Sequence, residues 1–201
     1  MKDRDSATLA MKAGPIRWLC TLIALTLGIA ILGPIPLVAQ GDCQTVNAAM
    51  DKVITTPTHI YNVTTDVPKD GSKPRPEDVR NSETVYAGGS TYLKAGGRWI
   101  RLRWTAQQVM QKEREHRQNS KYSCRYLRDE QVNGETAAVY NTHSERQDVD
   151  INSDGQVWIS KRRGLPLRHE YDMNVDVSDR EHGNKEHHSV RYEYANVQPP
   201  I

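Results

Sequence analysis

Seven glycine turn signals punctuate the last two-thirds of this sequence: Asp70-Gly71, Gly88-Gly89, Gly96-Gly97, Asn133-Gly134, Asp154-Gly155, Arg163-Gly164 and His182-Gly183. Asn-Gly, Asp-Gly and Gly-Gly pairs tolerate the positive φ angles of tight hairpins. Between most of them, apolar and polar residues alternate. A chain that reverses at such short intervals builds an antiparallel sheet whose sequence neighbours are also spatial neighbours. Such a sheet offers one broad surface for binding and no obvious place for chemistry.

The pattern predicts strands over 58–67, 79–87, 90–95, 98–104, 121–130, 135–143, 155–162, 165–177 and 185–197, with 147–152 either part of a bent strand or a strand of its own. The clearest alternation is Leu165, Leu167, His169, Tyr171, Met173, Val175 and Val177 against Pro166, Arg168, Glu170, Asp172, Asn174 and Asp176. One face is dry and the other wet, as where an antiparallel sheet covers a core on one side. Two helices are expected. Residues 43–54 place Val46, Ala49, Met50, Val53 and Ile54 at helical spacing, and Pro57 stops them. Residues 106–118 follow Thr105 as N-cap, but only Ala106, Val109 and Met110 are apolar, so this helix packs lightly. Residues 68–77 hold three prolines and form an exposed loop.

Ahead of this domain, residues 1–39 have the order of a secretory signal peptide: basic Lys2, Arg4, Lys12 and Arg17, the uncharged run Trp18–Leu32, then Gly33, Pro34 and Pro36. Cleavage is expected near Ala39, with translation starting at Met1 or Met11. The alternative is an uncleaved anchor, but a spanning helix needs about 20 apolar residues and the prolines cut this one short. Membrane contact is thus expected only through the leader. The leader holds four of the 27 Lys and Arg and two of the 25 Asp and Glu, which leaves 23 of each in residues 40–201. A domain of near-zero net charge has no field to attract nucleic acid. Cys20 belongs to the leader, so the domain keeps Cys43 and Cys124. An even pair in an exported chain reads as a disulfide, and two free thiols are the alternative.

Signals for chemistry are sparse. His182, His187 and His188 lie close together with Glu181 and Glu186, but zinc needs convergent ligands. Adjacent His187 and His188 point to opposite faces of a strand. No metal site and no cofactor is therefore expected. There is no Gly-x-Ser-x-Gly elbow and no glycine loop before a helix, so no catalytic residue is assigned and the chain reads as a non-enzyme. A carboxylate-based hydrolase is the weakest reading, since such pairs are defined in space rather than in sequence.

The aromatic residues are more informative. Trp and Tyr sit along the predicted strands and phenylalanine is absent. Their apolar bodies and polar tips suit a half-wet concave surface that receives an acyl chain or an apolar peptide. Tyr92, Trp99, Trp104, Trp158, Tyr171 and Tyr192 are the candidate lining residues. The same residues are also what an ordinary core between sheet and helices uses. Trp99, Arg101 and Arg103 alternate with Ile100, Leu102 and Trp104 and read as the solvated side of their strand.

The order of these pieces resembles the LolA-like superfamily of exported bacterial proteins, which includes periplasmic lipoprotein carriers, their outer-membrane receptors and sensor domains of the RseB kind. The resemblance is carried by the N-terminal helix, strand and polar loop, then by Tyr92 with Gly97-Arg98-Trp99 and the helix after Trp104. It continues with Cys124 ahead of Val132-Asn133-Gly134-Glu135 and Val139-Tyr140, and Val157-Trp158-Ile159-Ser160 ahead of Gly164-Leu165-Pro166-Leu167-Arg168. Arg191-Tyr192-Glu193-Tyr194 closes it. The resemblance implies a mainly β (α+β) fold: a strongly curved antiparallel sheet forming an incomplete barrel covered by two helices. It also implies a periplasmic or secreted binder of a lipid-like or apolar ligand, such as lipoprotein acyl chains. A protein-interaction or envelope-stress sensor domain, with an envelope protein as partner and no ligand cavity, is the alternative.

Overall fold

Two-residue reversals set the course of the chain. Gly88-Gly89, Gly96-Gly97 and Asn133-Gly134 each hold both residues at positive φ, for example 50° and 79° at Asn133 and Gly134. This is the backbone of a type I′ hairpin, whose twist matches that of the strands it joins. The computed structural model describes residues 38–68, 70–146, 151–175 and 185–201, without the side chains of 38–40 and 175. They belong to one compact unit, Pro36–Ile201. The expected export leader up to residue 37, with Cys20, and the His182-Gly183 turn signal lie outside the described residues.

The elements run α1 (Val38–Thr55), β1 (Thr58–Val67), a short 3-10 turn (Pro76–Asp78), β2 (Val79–Ala87), β3 (Ser90–Ala95) and β4 (Arg98–Thr105). They continue with α2 (Ala106–Gln118), β5 (Ser120–Val132), β6 (Glu135–Arg146), β7 (Ile151–Ser160), β8 (Pro166–Val175) and β9 (Lys185–Glu193). The nine strands form one antiparallel sheet in the order β4-β3-β2-β1-β9-β8-β7-β6-β5. Two meanders, β1 to β4 and β5 to β9, meet where β9 pairs with β1. The sheet is bowed but not closed, a half-barrel with two helices. Its two edges, β4 and β5, are consecutive in the chain, and α2 is the segment that joins them.

One turn signal is corrected. Asp154-Gly155 does not reverse the chain but sits inside β7, where Gly155 faces Thr142 on β6 and Tyr171 on β8. A Cβ at Gly155 would lie 2.8 Å from Tyr171 Cα, so the glycine permits close backbone approach rather than a turn. The expected strands over 147–152 and 155–162 are accordingly one strand from Ile151.

The core forms where α1 crosses the sheet. Val46 and Ala49 pack on Cys124, Ala138, Tyr140, Val157 and Ile159, and Val53 packs on Val190 and Tyr192. Each fully buried valine of this stripe contributes about 1.5–3 kcal/mol. The Cys43–Cys124 disulfide, with Cα atoms 4.9 Å apart, fastens the start of α1 to β5. At the other end, the Thr58 hydroxyl donates to the Val53 carbonyl at 3.1 Å and fixes the turn from α1 into β1. A second cluster, Ala137, Val139, Trp158 and Leu167, lies on the face away from α1.

Candidate functional site

Strand alternation and register divide the sheet into two faces. Residues opposite one another across antiparallel pairs share a face, so the face bearing α1 is traced through Tyr140, Val157, His169, Val190, Asn62 and Ser82. On this helix-side face, Tyr86 of β2, Tyr171 of β8 and Tyr192 of β9 gather with Val53, Ile60 and Val190. Burial pushes the Tyr86 and Tyr171 phenols up to about 12, with the charge of Glu113 adding to the effect at both. Tyr192 is raised further, first by burial and then by the neighbouring Tyr194, Tyr171 and Tyr86. All three hydroxyls therefore stay protonated at neutral pH and present an apolar floor with polar tips.

Val53 of α1 packs on this floor, and α2 runs beside it: the Glu113 charge acts on Tyr86 and Tyr171, and Ala106 shares a cavity wall with Tyr86. Thr105 caps α2: its side chain accepts from the Gln108 backbone N–H at 3.2 Å, while the Gln108 side chain accepts from Thr105 N at 2.9 Å. No α2 residue is buried. The helix is instead pinned through Asp51 of α1, which accepts from Arg114 Nε and Nη2 at 3.0 and 2.9 Å and also binds Arg117. A helix held by ion pairs rather than by a buried stripe separates from its support at modest cost. A cavity of about 290 Å³ opens between the end of α1, the start of α2 and the β2–β3 turn, with Ile54, Pro57, Tyr86, Ser90 and Ala106 in its walls. Two hollows of about 510 and 520 Å³ lie among the ion pairs of the opposite face.

The six aromatic residues singled out in the sequence do not share one surface. Tyr171 and Tyr192 lie on the helix-side floor. Trp158, 6% exposed, belongs to the second cluster on the other face, under the Arg168 guanidinium at 4.8 Å. Trp99 is on that face too, edge-on to His59 with Lys94 Nζ 5.7 Å above its ring. Tyr92 packs with Val85, Ala87, Trp99 and Val197. Trp104 is half exposed at the end of β4, with Lys112 of α2 above its ring at 5.3 Å. One cross-strand row on the outer face runs Trp158–Arg168–Arg191–Tyr61–Glu83–Lys94–Trp99 through seven strands. Cations stacked on rings make this row a structural ladder.

Sequence reasoning missed Tyr86 as a floor residue and missed the polar end of the same face. Beyond Tyr171 the helix-side positions become Thr64, Asp66, Arg80, Glu186 and His188, of which only Arg80 is exposed. The signal was present in β1, where Ile60, Asn62, Thr64 and Asp66 grade from apolar to charged along one face. His187 and His188 do part to opposite faces: His187 pairs with Asp172 at 2.8 Å and Glu170 at 3.1 Å, and His188 with Glu186. Among the described residues, no group of His, Cys, Asp and Glu has the arrangement of a metal centre, and no helix is long and apolar enough to cross a membrane.

No protein-family model and no curated protein matches this sequence. Among solved structures, the chain is similar to lipoprotein LppX of Mycobacterium tuberculosis, with 10% identity and a TM-score of 0.43 over 79% of this chain and 99% of that one. It is similar to LprF of Mycobacterium bovis at 11% identity and a TM-score of 0.38, over 82% of this chain and 98% of that one. A DUF1329 family protein of Desulfovibrio piger gives 12% identity and a TM-score of 0.26, over 81% and 95%. At identities of this order, the role of every site residue follows from this chain's own geometry.

Proposed function

We propose that this protein is an exported, non-enzymatic carrier or receptor of a lipid-like ligand, held between the helix-side face of the sheet and the two helices. The observation that carries this reading is the pairing of a tyrosine-lined floor, Tyr86, Tyr171 and Tyr192, with a neighbouring helix, α2, that buries none of its own side chains. A helix laid across a core normally buries an apolar stripe. One that does not is suited to move aside and let an acyl chain take the contact. The resemblance to LolA-like carriers supports the same reading. The Cys43–Cys124 bond supports a compartment that is oxidising, such as the periplasm or the exterior.

Of the six aromatic residues picked out in the sequence, Tyr171 and Tyr192 are proposed as lining, joined by Tyr86 and Ile60. The ladder positions Trp99 and Trp158 serve the sheet instead. The test is to express the whole sequence with export, purify without detergent, extract with organic solvent and weigh the extract by mass spectrometry. Co-purified lipid near one mole per mole is expected. An empty extract from protein that also fails to bind a hydrophobic fluorophore such as N-phenyl-1-naphthylamine overturns the reading.

A further inference from the structure

Six residues of β1, β2 and β9 form a directional chain of hydrogen bonds on the helix-side face. Asn62 Nδ2 donates to Thr64 Oγ1 at 3.3 Å, and Thr64 Oγ1 meets His188 Nδ1 at 3.1 Å. His188 Nε2 lies 3.1 Å from Glu186 Oε2, Arg80 Nη2 donates to Glu186 Oε1 at 3.2 Å, and Arg80 Nη1 donates to Asp66 Oδ2 at 2.5 Å. An ionised carboxylate only accepts, so His188 carries its proton on Nε2 and takes the Thr64 hydroxyl proton on Nδ1. The donors of the chain are Asn62 Nδ2, the Thr64 hydroxyl, His188 Nε2 and Arg80 Nη1 and Nη2.

The two ends are not satisfied. Asn62 Oδ1 and Asp66 Oδ1 are both buried without a hydrogen-bond partner. An orphaned buried acceptor forfeits the hydrogen bond it makes in water, and both orphans here are acceptors. They project from the same strand and face, four residues and so about 13 Å apart. Next to them begins the apolar floor: one step down β1 from Asn62 is Ile60, opposite Tyr192. The face thus runs from greasy to hydrogen-bonding, and at its polar end two buried acceptors stand without donors.

We propose that the ligand is an amphiphile with a hydroxyl-rich, sugar-like head, whose O–H groups donate to Asn62 Oδ1 and Asp66 Oδ1 while its chain lies on Ile60, Tyr86 and Tyr192. This rests on the reading that the helix-side face holds a lipid. A phosphate or carboxylate head brings only acceptors and leaves both oxygens unmet. An ammonium brings donors but reaches one end at a time. Because neither oxygen is open to solvent, the head engages them only as the side chains over them give way.

The experiment uses protein expressed from the whole sequence and displacement of N-phenyl-1-naphthylamine by dodecyl maltoside, dodecylamine and laurate. All are kept below their critical micelle concentrations. Dodecyl maltoside is expected to bind at least about tenfold more tightly than laurate, with dodecylamine between them, since each hydrogen bond to a buried acceptor counts for roughly three- to tenfold. Asn62→Val is expected to lower the maltoside-to-laurate ratio at least about threefold. If its melting curve shows it unfolded, Asp66→Asn reads the other end, with a fall in the same ratio. Equal affinities, tighter laurate, or a ratio unmoved in the folded variants overturns the sugar-head proposal and leaves lipid binding standing. Failure of the fluorophore and all three amphiphiles to bind removes the underlying reading, and the proposal with it.

Discussion

Tyr171 and His188 lie ring on ring, their centroids 4.5 Å apart and their planes 4° from parallel. They stack because they are register partners on β8 and β9, and His169 lies tilted against Tyr171 with centroids 4.6 Å apart. Neutral imidazoles suit this setting: each would face a desolvation cost on protonation, and at His188 the Glu186 carboxylate offsets only part of it.

Burial lowers both imidazole pKa values, that of His169 from 6.5 to about 4, while the Glu186 carboxylate only partly opposes the shift at His188. The unfolded chain therefore binds more protons than the native one between about pH 6.5 and pH 4, and stability falls as pH drops through that window. His169→Phe keeps the ring contact and removes the titration. Thermal melting of wild type and variant from pH 7 to pH 4 should diverge by about 1–3 kcal/mol. Parallel melting curves would contradict the assignment.

The disulfide holds the start of α1 against β5 across an 81-residue separation. Cys43→Ser/Cys124→Ser should lose about 2–5 kcal/mol of stability. Thiol titration of denatured, unreduced protein should find neither cysteine reactive, and labelling of Cys43 or Cys124 would refute the bond.

Asp51→Ala removes the shared anchor of Arg114 and Arg117. Because these pairs lie at the surface, the loss in global stability should stay below about 1 kcal/mol. Amide exchange within α2 should nevertheless speed up severalfold, and fluorophore release should quicken with it. A destabilised core with unchanged α2 exchange would show that the helix is held by something else.

Gly155→Ala sets a methyl group against the Tyr171 backbone. The β7–β8 pairing has to spread to admit it, so a loss of more than about 2 kcal/mol is expected in chemical denaturation. A neutral effect would mean that the strands can part there freely.

The sequence by itself determined the strands, because a period of two and paired residues of positive φ are local properties that packing does not override. It also determined that Thr105 begins a helix with little to bury, and that two cysteines remain to be joined. It could not choose a face. Alternation tells which residues are together but not which set the helices cover, and that choice depends on where α1 crosses, a matter of contacts such as Val46 with Val157 and Val53 with Tyr192. This is why Trp158 and Tyr171, equally aromatic and both on strands, part to opposite sides. Gly155 was misread for the same reason: close approach of a neighbouring backbone leaves the same residue in the sequence as a turn does. The relay from Asn62 to Asp66 joins β1, β2 and β9, whose members stand as far apart as Asp66 and Glu186 in the chain, and only the closing pair β1–β9 brings them into bonding distance.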